Sequence, residues 1–423
     1  MKILLRNFAA LLTVILCAGY AAAQKMNTET QIFNPNFKTL QIRHAFNEFF
    51  PPVVTLGGND FVTVSFDEMV PDMNYYRYRL VHCNSDWQPS SLVESEYVDG
   101  FNEGYIENYK YSSATFANYV HYSFAVPNKD LVLTKSGNYL VQVYPEEDPE
   151  DIVLQCRFCM SEDMLKIGSD ITSRTDIDYN KEHQQLTVRL AMKTPHIRNW
   201  YHDIEVFVSQ NSREDTTVKL ENPTLVESDA IVFSHLRPLI FPAGNEFRRF
   251  ECVATNYPGM GIENIIHYDP YYHIELFVDG LRSNIPYAYD QTQFGRFKVR
   301  QSGAIDSESD ADYVVVHFAL EAPHYQDGEI YVDGEFTQHR YAPSNRMRYN
   351  PSTGLYELDL LMKMGSYNYQ YLFVPKGSER GYTKPIEGDH HETVNEYFTR
   401  VYYRPSGARY DRLLGFGVSY SGR

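Results

Sequence analysis

Alternation of apolar and polar residues with a period of two constrains the fold of this chain more than any other feature. The 35 tyrosines and 25 phenylalanines favour strands over helices, because flat side chains pack well on a pleated surface. No stretch sustains the 3.6-residue stripe of an amphipathic helix. The pattern therefore predicts an all-β protein built as a row of β-sandwiches. Strands are predicted at 61–66, 75–81, 138–144, 185–192, 203–209, 273–280, 313–320 and 367–374.

The first 23 residues have the three-part pattern of a secretory signal. Lys2 and Arg6 precede an apolar run that ends in three alanines. We expect cleavage of residues 1–23, so that the mature chain begins at Gln24. Nothing later in the chain approaches the ~20 consecutive apolar residues that a membrane helix needs. The chain is therefore expected to be exported and to remain soluble in the periplasm.

The formal net charge is −17, and loss of the two basic residues of the signal makes the mature chain more acidic still. Nucleic acids and anionic lipid head groups are bound by clustered lysine and arginine side chains. We therefore expect no nucleic-acid partner and no insertion into a membrane.

Composition suggests two domain boundaries after the signal. The strands at 138–144 and 152–160 are joined by the acidic loop 145–151, and this hairpin is expected to close a first domain at 24–163. The stretch 301–312 has few apolar residues and is interpreted as a linker. The chain is therefore predicted to contain a second domain at 164–305 and a third at 306–423.

The segment HCNSDW, residues 82–87, concentrates reactive residue types in a short space. A nucleophilic pair of His82 and Cys83 would be conceivable, but successive side chains of a strand point to opposite faces. The alternative is a strand end followed by a turn, in which Asn84 or Asp86 binds backbone N–H groups and Trp87 seals the edge of the core. We favour this second interpretation.

Four cysteines remain in the mature chain, and they allow three disulfide pairings. Cys156 and Cys159 form a C-x-x-C motif within a strand pattern, where alternation makes a bond between them strained. A bond between Cys83 and Cys159 requires neighbouring strands. Buried free thiols are the other possibility, and the fourth cysteine, Cys252, has no assigned partner.

Other candidate chemistry is sparse. His390 and His391 are adjacent and point apart in an extended chain, with no third metal ligand evident, and the histidines of 196–202 match no metal-binding spacing. No nucleophile elbow, zinc-protease, phosphate-loop or dinucleotide motif occurs. We therefore predict no catalytic residue, no metal ion and no cofactor, and hence a protein that is not an enzyme.

The motifs from Tyr78 to Phe101, HCNSDW followed by PSSL and EYVDGF, occur in order with YSSATFANYVHYSFAVPN at 111–128 and GNYLVQVY at 137–144. Together they resemble the first domain of the type IX secretion system plug protein family. Asn84 stands where an aspartate would be more typical, a conservative difference that leaves the turn chemistry intact.

The resemblance implies a binding role. Members of this family are periplasmic proteins that seal the periplasmic mouth of a giant outer-membrane translocon barrel. The resemblance identifies no contact residues, because the motif positions are interpreted as core and turn positions. The partner interface is therefore unknown. Exposed Tyr, Phe, Met and Arg side chains are expected to form it.

The region 328–404 is similar to the early-set immunoglobulin-like modules of glycogen-active enzymes. Such modules bind glucan on exposed tryptophans, but residues 313–423 contain none. The stripe of Tyr367, Tyr369, Tyr371 and Phe373 is predicted to be core. An alternative function, a carbohydrate-binding accessory protein of a surface glycan system, would need these rings as its sugar platform.

Overall fold

The computed structural model describes residues 25–192, 197 and 199–422. Strands make up 48% of the chain and helices 5%, and none of the sheets is closed, so the predicted all-β fold is confirmed. The proposed signal, residues 1–23, lies outside the described residues. Among the described residues, no helix has the length and hydropathy needed to cross a membrane.

The first sandwich packs two sheets around aromatic side chains. One sheet has the strand order β1-β12-β11-β5-β7 with β3 added on β12, and the other has the order β2-β4-β9-β8. Tyr122, Tyr139 and Phe158 are fully buried between them. Its strands are β1 Gln31–Ile32, β2 Phe37–His44, β3 Val53–Thr55, β4 Val62–Glu68, β5 Tyr76–Cys83, β6 Val98–Gly100, β7 Gly104–Tyr105, β8 Asn108–Tyr111, β9 Val120–Val126, β10 Leu131–Leu133, β11 Gly137–Pro145 and β12 Leu154–Ser161, with the one-turn helix α1 Glu94–Tyr97.

The second sandwich begins directly after the first. Its strands are β13 Leu165–Thr172, β14 His183–Met192, β15 Ile204–Gln210, β16 Arg213–Leu220, β17 Leu225–Val226, β18 Ala230–Phe233 and β19 Ile240–Pro242, with the one-turn helix α2 Trp200–Asp203 and a 3₁₀ turn at Arg237–Leu239. These strands do not complete the fold, because the sheet that contains β15 and β16 still lacks two members.

The third sandwich follows, and its two sheets are β20-β29-β24 with β26 added, and β21-β22-β25-β28-β27 with β23 added. Its strands are β20 Arg248–Cys252, β21 Ile262–Tyr268, β22 Tyr271–Leu276, β23 Asp279–Gly280, β24 Phe297–Val299, β25 Tyr313–Glu321, β26 Gly328–Asp333, β27 Arg348–Asn350, β28 Leu355–Lys363 and β29 Gly365–Pro375, with the one-turn helix α3 Ser307–Asp310 and a 3₁₀ turn at Glu335–Thr337.

The last two strands return to the second sandwich. β30 Glu396–Tyr403 pairs with β15 along its whole length, and β31 Arg412–Tyr420 pairs with β30. Tyr397, Val401 and Leu414 join the same apolar core as Leu186 and Phe241. The third sandwich is therefore an insertion between β19 and β30 of the second.

The predicted boundary between 164–305 and 306–423 is wrong for this reason. β20 and β24, which were assigned to the second domain, pair with β29 of the third sandwich, whereas β30 and β31 belong to the second. The first boundary, at 163, lies in the turn between β12 and β13.

The stretch 301–312 is polar for a reason other than a linker role. Its side chains bind backbone groups of the first sandwich and of the turn itself. The carboxylate of Asp312 accepts hydrogen bonds from the backbone N–H groups of Phe116 and Ala117, at 2.8 and 3.2 Å. The stretch is therefore part of the third sandwich, and it contacts the first sandwich through side-chain hydrogen bonds.

A fully buried charge cluster joins the first and third sandwiches. Lys363 Nζ lies 2.6 Å from Asp67 Oδ2, and neither side chain has any solvent exposure. Tyr313 donates to the same oxygen at 2.6 Å, and His121 Nδ1 lies 2.7 Å from the other. Burial opposes ionisation of Asp67, but the charges of Lys363 and His121 outweigh it and hold the pKa of this carboxyl below its usual value. The two sandwiches are therefore locked by complementary charge.

Candidate functional site

His82 and Cys83 do not form a reactive pair. His82 is buried among Tyr97, Tyr139 and Tyr410, while Cys83 packs in a separate apolar cluster on the other face of β5. Burial lowers the pKa of His82 to about 4 and raises the pKa of Cys83 to about 12. A neutral imidazole and a protonated thiol, each held in a core, have no means of activating one another.

The HCNSDW turn is a joint between the first and second sandwiches. The backbone N–H of Ser85 donates to Asp411 Oδ2 at 2.9 Å, and its hydroxyl donates to Glu205 Oε2 at 2.7 Å. Arg404 donates to Asn84 Oδ1 at 2.6 Å. Asp86 accepts from the backbone N–H of Gln88 at 3.0 Å, as a turn aspartate does. The turn interpretation is correct, but no sequence pattern indicates that the partners of this turn lie more than 100 residues away.

All four cysteines within the described residues are free and buried. Asn138 of β11 pairs with Cys83 on one side and with Cys159 on the other, so the two cysteine strands are not neighbours. Two strand spacings put their Cα atoms roughly 9–10 Å apart, beyond the reach of a disulfide. The predicted alternative of buried free thiols is correct, and burial raises the pKa of Cys159 to about 12.

The other histidine candidates are structural. The backbone N–H groups of His390 and His391 donate to Gly244 and Lys181, which fastens the loop that leads back to the second sandwich. His196 lies outside the described residues, and His202 falls in α2. Within the part of the chain that the structure describes, no group of His, Cys, Asp or Glu side chains is arranged to hold a metal ion.

The tyrosine stripe of β29 faces inward, as predicted. Tyr367, Tyr369, Tyr371 and Phe373 are all buried in the core of the third sandwich. The hydroxyls of Tyr369 and Tyr371 both donate to Asp279 Oδ2 at 2.8 Å. These rings therefore cannot stack on a sugar.

Four exposed aromatic side chains of the first sandwich lie within residues 101–111, on or beside the strands β7 and β8 that border its two sheets. We call Phe101, Tyr105, Tyr109 and Tyr111 the aromatic edge. Phe101 is 85% exposed and Tyr105 is 56% exposed. All four side chains of β8, which borders its sheet, are exposed, and the rings of Tyr109 and Tyr111 are 5.9 Å apart.

Local structure presents these rings to solvent. Asn102, between Phe101 and the edge strand β7, is buried. Its side-chain amide accepts a hydrogen bond from the backbone N–H of Leu80 at 3.1 Å and donates one to Leu80 O at 2.8 Å, as the backbone of a neighbouring strand would. The anchored Asn102 leaves Phe101 pointing outward. The guanidinium of Arg77 lies 4.1 Å from the centre of the Tyr105 ring and holds that ring in place.

Exposed rings at sheet borders are typical of protein contact surfaces. Tyr, Phe and Arg are enriched in the cores of interfaces, and a bordering strand offers unpaired N–H and C=O groups. The sequence could not single out these rings, because NYKY in β8 alternates like any core strand. The exposure of all four β8 side chains, at the end of its sheet, is visible only in the folded structure.

Comparison with known proteins places this edge in a family context. Residues 37–162 match the family model described as the type 9 secretion system plug protein 1st domain. The chain belongs to the type 9 secretion system plug protein family. The predicted resemblance is thereby confirmed, and the aromatic edge lies inside the family domain.

The plug-family chain also matches solved structures. A crystal structure of a hypothetical protein from Parabacteroides merdae aligns with 40% identity and a TM-score of 0.92, covering 94% of this chain and 100% of that one. A cryo-EM structure of E. coli alpha-2-macroglobulin aligns with 9% identity and a TM-score of 0.18, over 94% of this chain and 23% of that one, which supports no argument. No curated protein matches.

The architecture of three sandwiches is thus shared along the whole length of the Parabacteroides merdae protein. Plug-family membership assigns this chain a role connected with type IX secretion. The plug family is a non-catalytic structural family, in keeping with the buried positions of His82 and the cysteines.

Proposed function

We propose that this protein is a non-enzymatic periplasmic component of the type IX secretion system that binds and seals the periplasmic opening of the outer-membrane translocon barrel. In this proposal the signal at residues 1–23 exports the chain and is removed. The mature protein then docks from the periplasmic side, without entering the membrane.

The aromatic edge is the observation that carries the proposal. Four exposed aromatic side chains lie on or beside the two strands that border the sheets of the first sandwich, within the domain matched by the family model. Arg77 adds a cation beside them that is already held by Glu103 and Glu146, at 3.0 and 2.9 Å. We assign the contact with the barrel to this edge.

Stiffness of the three-sandwich body supports a sealing role. Asp67 and Lys363 clamp the first sandwich to the third, and Tyr402 clamps it to the second by donating to Asn138 Oδ1 at 2.7 Å. These contacts are buried, so water does not weaken them. A protein that blocks a wide channel has to keep its shape against the channel rim. Buried ion pairs and hydrogen bonds between its sandwiches provide that rigidity.

Co-purification tests the assignment. Tagged protein is recovered from detergent-solubilised outer membrane, and the unaltered chain is expected to bring down a giant barrel. The variant Phe101→Ser with Tyr105→Ser is expected to reduce barrel recovery at least tenfold, because central aromatic residues carry much of the energy of an interface.

A matched control removes two other rings that are more than half exposed. Tyr179→Ser with Tyr289→Ser changes side chains that are 60% and 67% exposed in the second and third sandwiches, and it should leave recovery unchanged. Equal loss in both variants would contradict the edge assignment. Absence of any barrel in the unaltered sample would contradict the proposed function itself.

Sealing is a separate measurement. Cells without the protein should admit a dye that is too large to cross an intact outer membrane, and expression of the unaltered chain should restore exclusion. Expression of the Phe101→Ser, Tyr105→Ser variant should not. A carbohydrate-binding role finds no support in the geometry, since the rings of β29 are buried, and retention on glucan resin is not expected.

A further inference from the structure

A cleft opens where the three sandwiches meet. It has a volume of about 710 Å³ and is lined by residues of all three units. This volume lies within the range of pockets that bind ligands. The cleft is separate from the aromatic edge, none of whose four rings lines it.

The floor of the cleft is apolar. Val53 of the first sandwich and Phe398 and Phe416 of the second line it, with the two phenylalanine rings stacked 5.9 Å apart. Tyr331 and Tyr341 of the third sandwich also line the cleft, with ring centres 5.2 Å apart. Apolar side chains of a ligand would be removed from water here.

Among the described residues, one guanidinium that lines the cleft makes no direct ion pair with a carboxylate. Arg400, Arg340 and Arg296 pair with Glu214, Glu29 and Glu396 at 3.1, 2.9 and 2.7 Å. Arg157, in contrast, forms no ion pair with any described residue. It donates only to the backbone and hydroxyl oxygens of Thr28, at 2.6 and 3.0 Å. Burial lowers the pKa of Arg157, and the nearby charges of Glu214 and Glu29 offset this effect only in part.

The indole ring of Trp87 lies beneath the Arg157 guanidinium. The Arg157 guanidinium lies 4.3 Å from the centre of the Trp87 ring, and Trp87 lines the cleft while only 7% exposed. Its Nε1–H is buried and has no acceptor among the described residues. A guanidinium without an ion pair among the described residues, next to a buried indole N–H without an acceptor, favours an oxygen-rich group in this part of the cleft.

We propose that this cleft binds an extended peptide that inserts apolar side chains between Val53 and Phe398 and places a carboxylate on Arg157. A carboxylate offers the two oxygens that a guanidinium binds in parallel. The choice of a peptide over a small free acid rests on the proposed function, because the partners of a secretion component are polypeptides. A bound peptide would touch all three sandwiches at once.

Tryptophan fluorescence gives a direct readout. The chain has two tryptophans, so Trp200→Phe leaves Trp87 as the only reporter. The probes are acetyl-Val-Phe-Leu-Asp-amide, its Asp-to-Asn counterpart, and octanoate as a small acid. The acidic peptide should change Trp87 emission saturably, and the neutral peptide should bind about tenfold more weakly, since it loses a charged hydrogen-bond pair.

Arg157→Gln in the same background should abolish this preference for the acidic peptide. The control Arg189→Gln removes an exposed guanidinium that pairs with Glu227 on the second sandwich, and it should keep the preference. Equal binding of both peptides to the unaltered cleft, or no saturable change, would overturn the proposal. Saturation by octanoate but not by the acidic peptide would overturn the choice of a peptide. Barrel co-purification is measured separately, so failure here leaves the proposed function standing.

Discussion

Removing one partner of the buried Lys363–Asp67 pair tests whether charge locks the first and third sandwiches together. Lys363→Met keeps the length of the side chain but deletes the ammonium that lies 2.6 Å from Asp67 Oδ2 and 2.5 Å from Glu308 O. Asp67 then keeps only Tyr313 and His121 as donors, in a site without solvent. Breaking a fully buried pair in this way costs about 3–5 kcal/mol.

The corresponding melting shift depends on how much of the chain unfolds together. With an unfolding entropy of about 2.1 cal/mol/K per residue, cooperative unfolding of a mature chain of roughly 400 residues lowers Tm by about 4–6 °C. If the first sandwich melts alone, the same loss gives a shift of more than 10 °C. Calorimetry of the mature protein distinguishes the two cases.

The double variant provides the control. Asp67→Asn combined with Lys363→Met is neutral, and the amide can accept from Tyr313 and donate to His121. It should recover at least about 2 kcal/mol relative to Lys363→Met alone, and the single variant Asp67→Asn completes the cycle that gives the coupling energy of the pair. A cost below about 1 kcal/mol for Lys363→Met, or no recovery in the double variant, would refute electrostatic locking.

Three further outcomes follow from buried groups. Burial raises the pKa of Glu396 to about 7 against the opposing charge of Arg296. The stability that this group contributes below about pH 4.5 should therefore fall by roughly 3 kcal/mol as pH rises through 7. Glu396→Gln should flatten the dependence of Tm on pH, and an unchanged dependence would refute the assignment. The four buried cysteines should resist a thiol reagent at pH 8 in the native protein and all react after unfolding without reductant, whereas a residual disulfide by mass spectrometry would contradict the fold. Ser85→Ala should cost about 1–2 kcal/mol in denaturant unfolding, because Glu205 loses the 2.7 Å hydroxyl bond, while exposed Ser91→Ala should cost less.

Strand positions were predictable because alternation is a local property. The predicted run 75–81 became β5, and 313–320 became β25, each within three residues at its ends. The same reasoning correctly separated His82 from Cys83, since the faces of a strand follow from its period alone. It also placed Tyr367 and Tyr371 in the core.

Strand partners were not predictable. Period-two patterns report that a segment is extended and half buried, but they contain nothing about which strand it will pair with. β30 looks like the continuation of the strands before it, yet it crosses back to β15. The prediction of a linker at 301–312 was wrong for a related reason. Asp312 is polar because its carboxylate binds the backbone of the neighbouring first sandwich.

The candidate site was hidden for a third reason. Tyr109 and Tyr111 have the same spacing as buried rings, and their exposure on the last strand of the sheet is visible only in the folded structure. Arg157 carries no sequence signal at all. Its lack of a carboxylate emerges only when three sandwiches are assembled around it.

The return of β30 to β15 has a consequence for how this protein is made. Gln210 and Tyr397, which meet through their side chains, are 187 positions apart. Until β30 has been synthesised and has paired, one side of β15 exposes unpaired backbone N–H and C=O groups to other chains. The inserted sandwich, whose strands are all consecutive, can form in the meantime. A chain cut between β29 and β30 would therefore carry two complete sandwiches, the first and the third, and an incomplete second one with an exposed strand border. Truncations meant to isolate the third sandwich should begin after β19 and stop before β30.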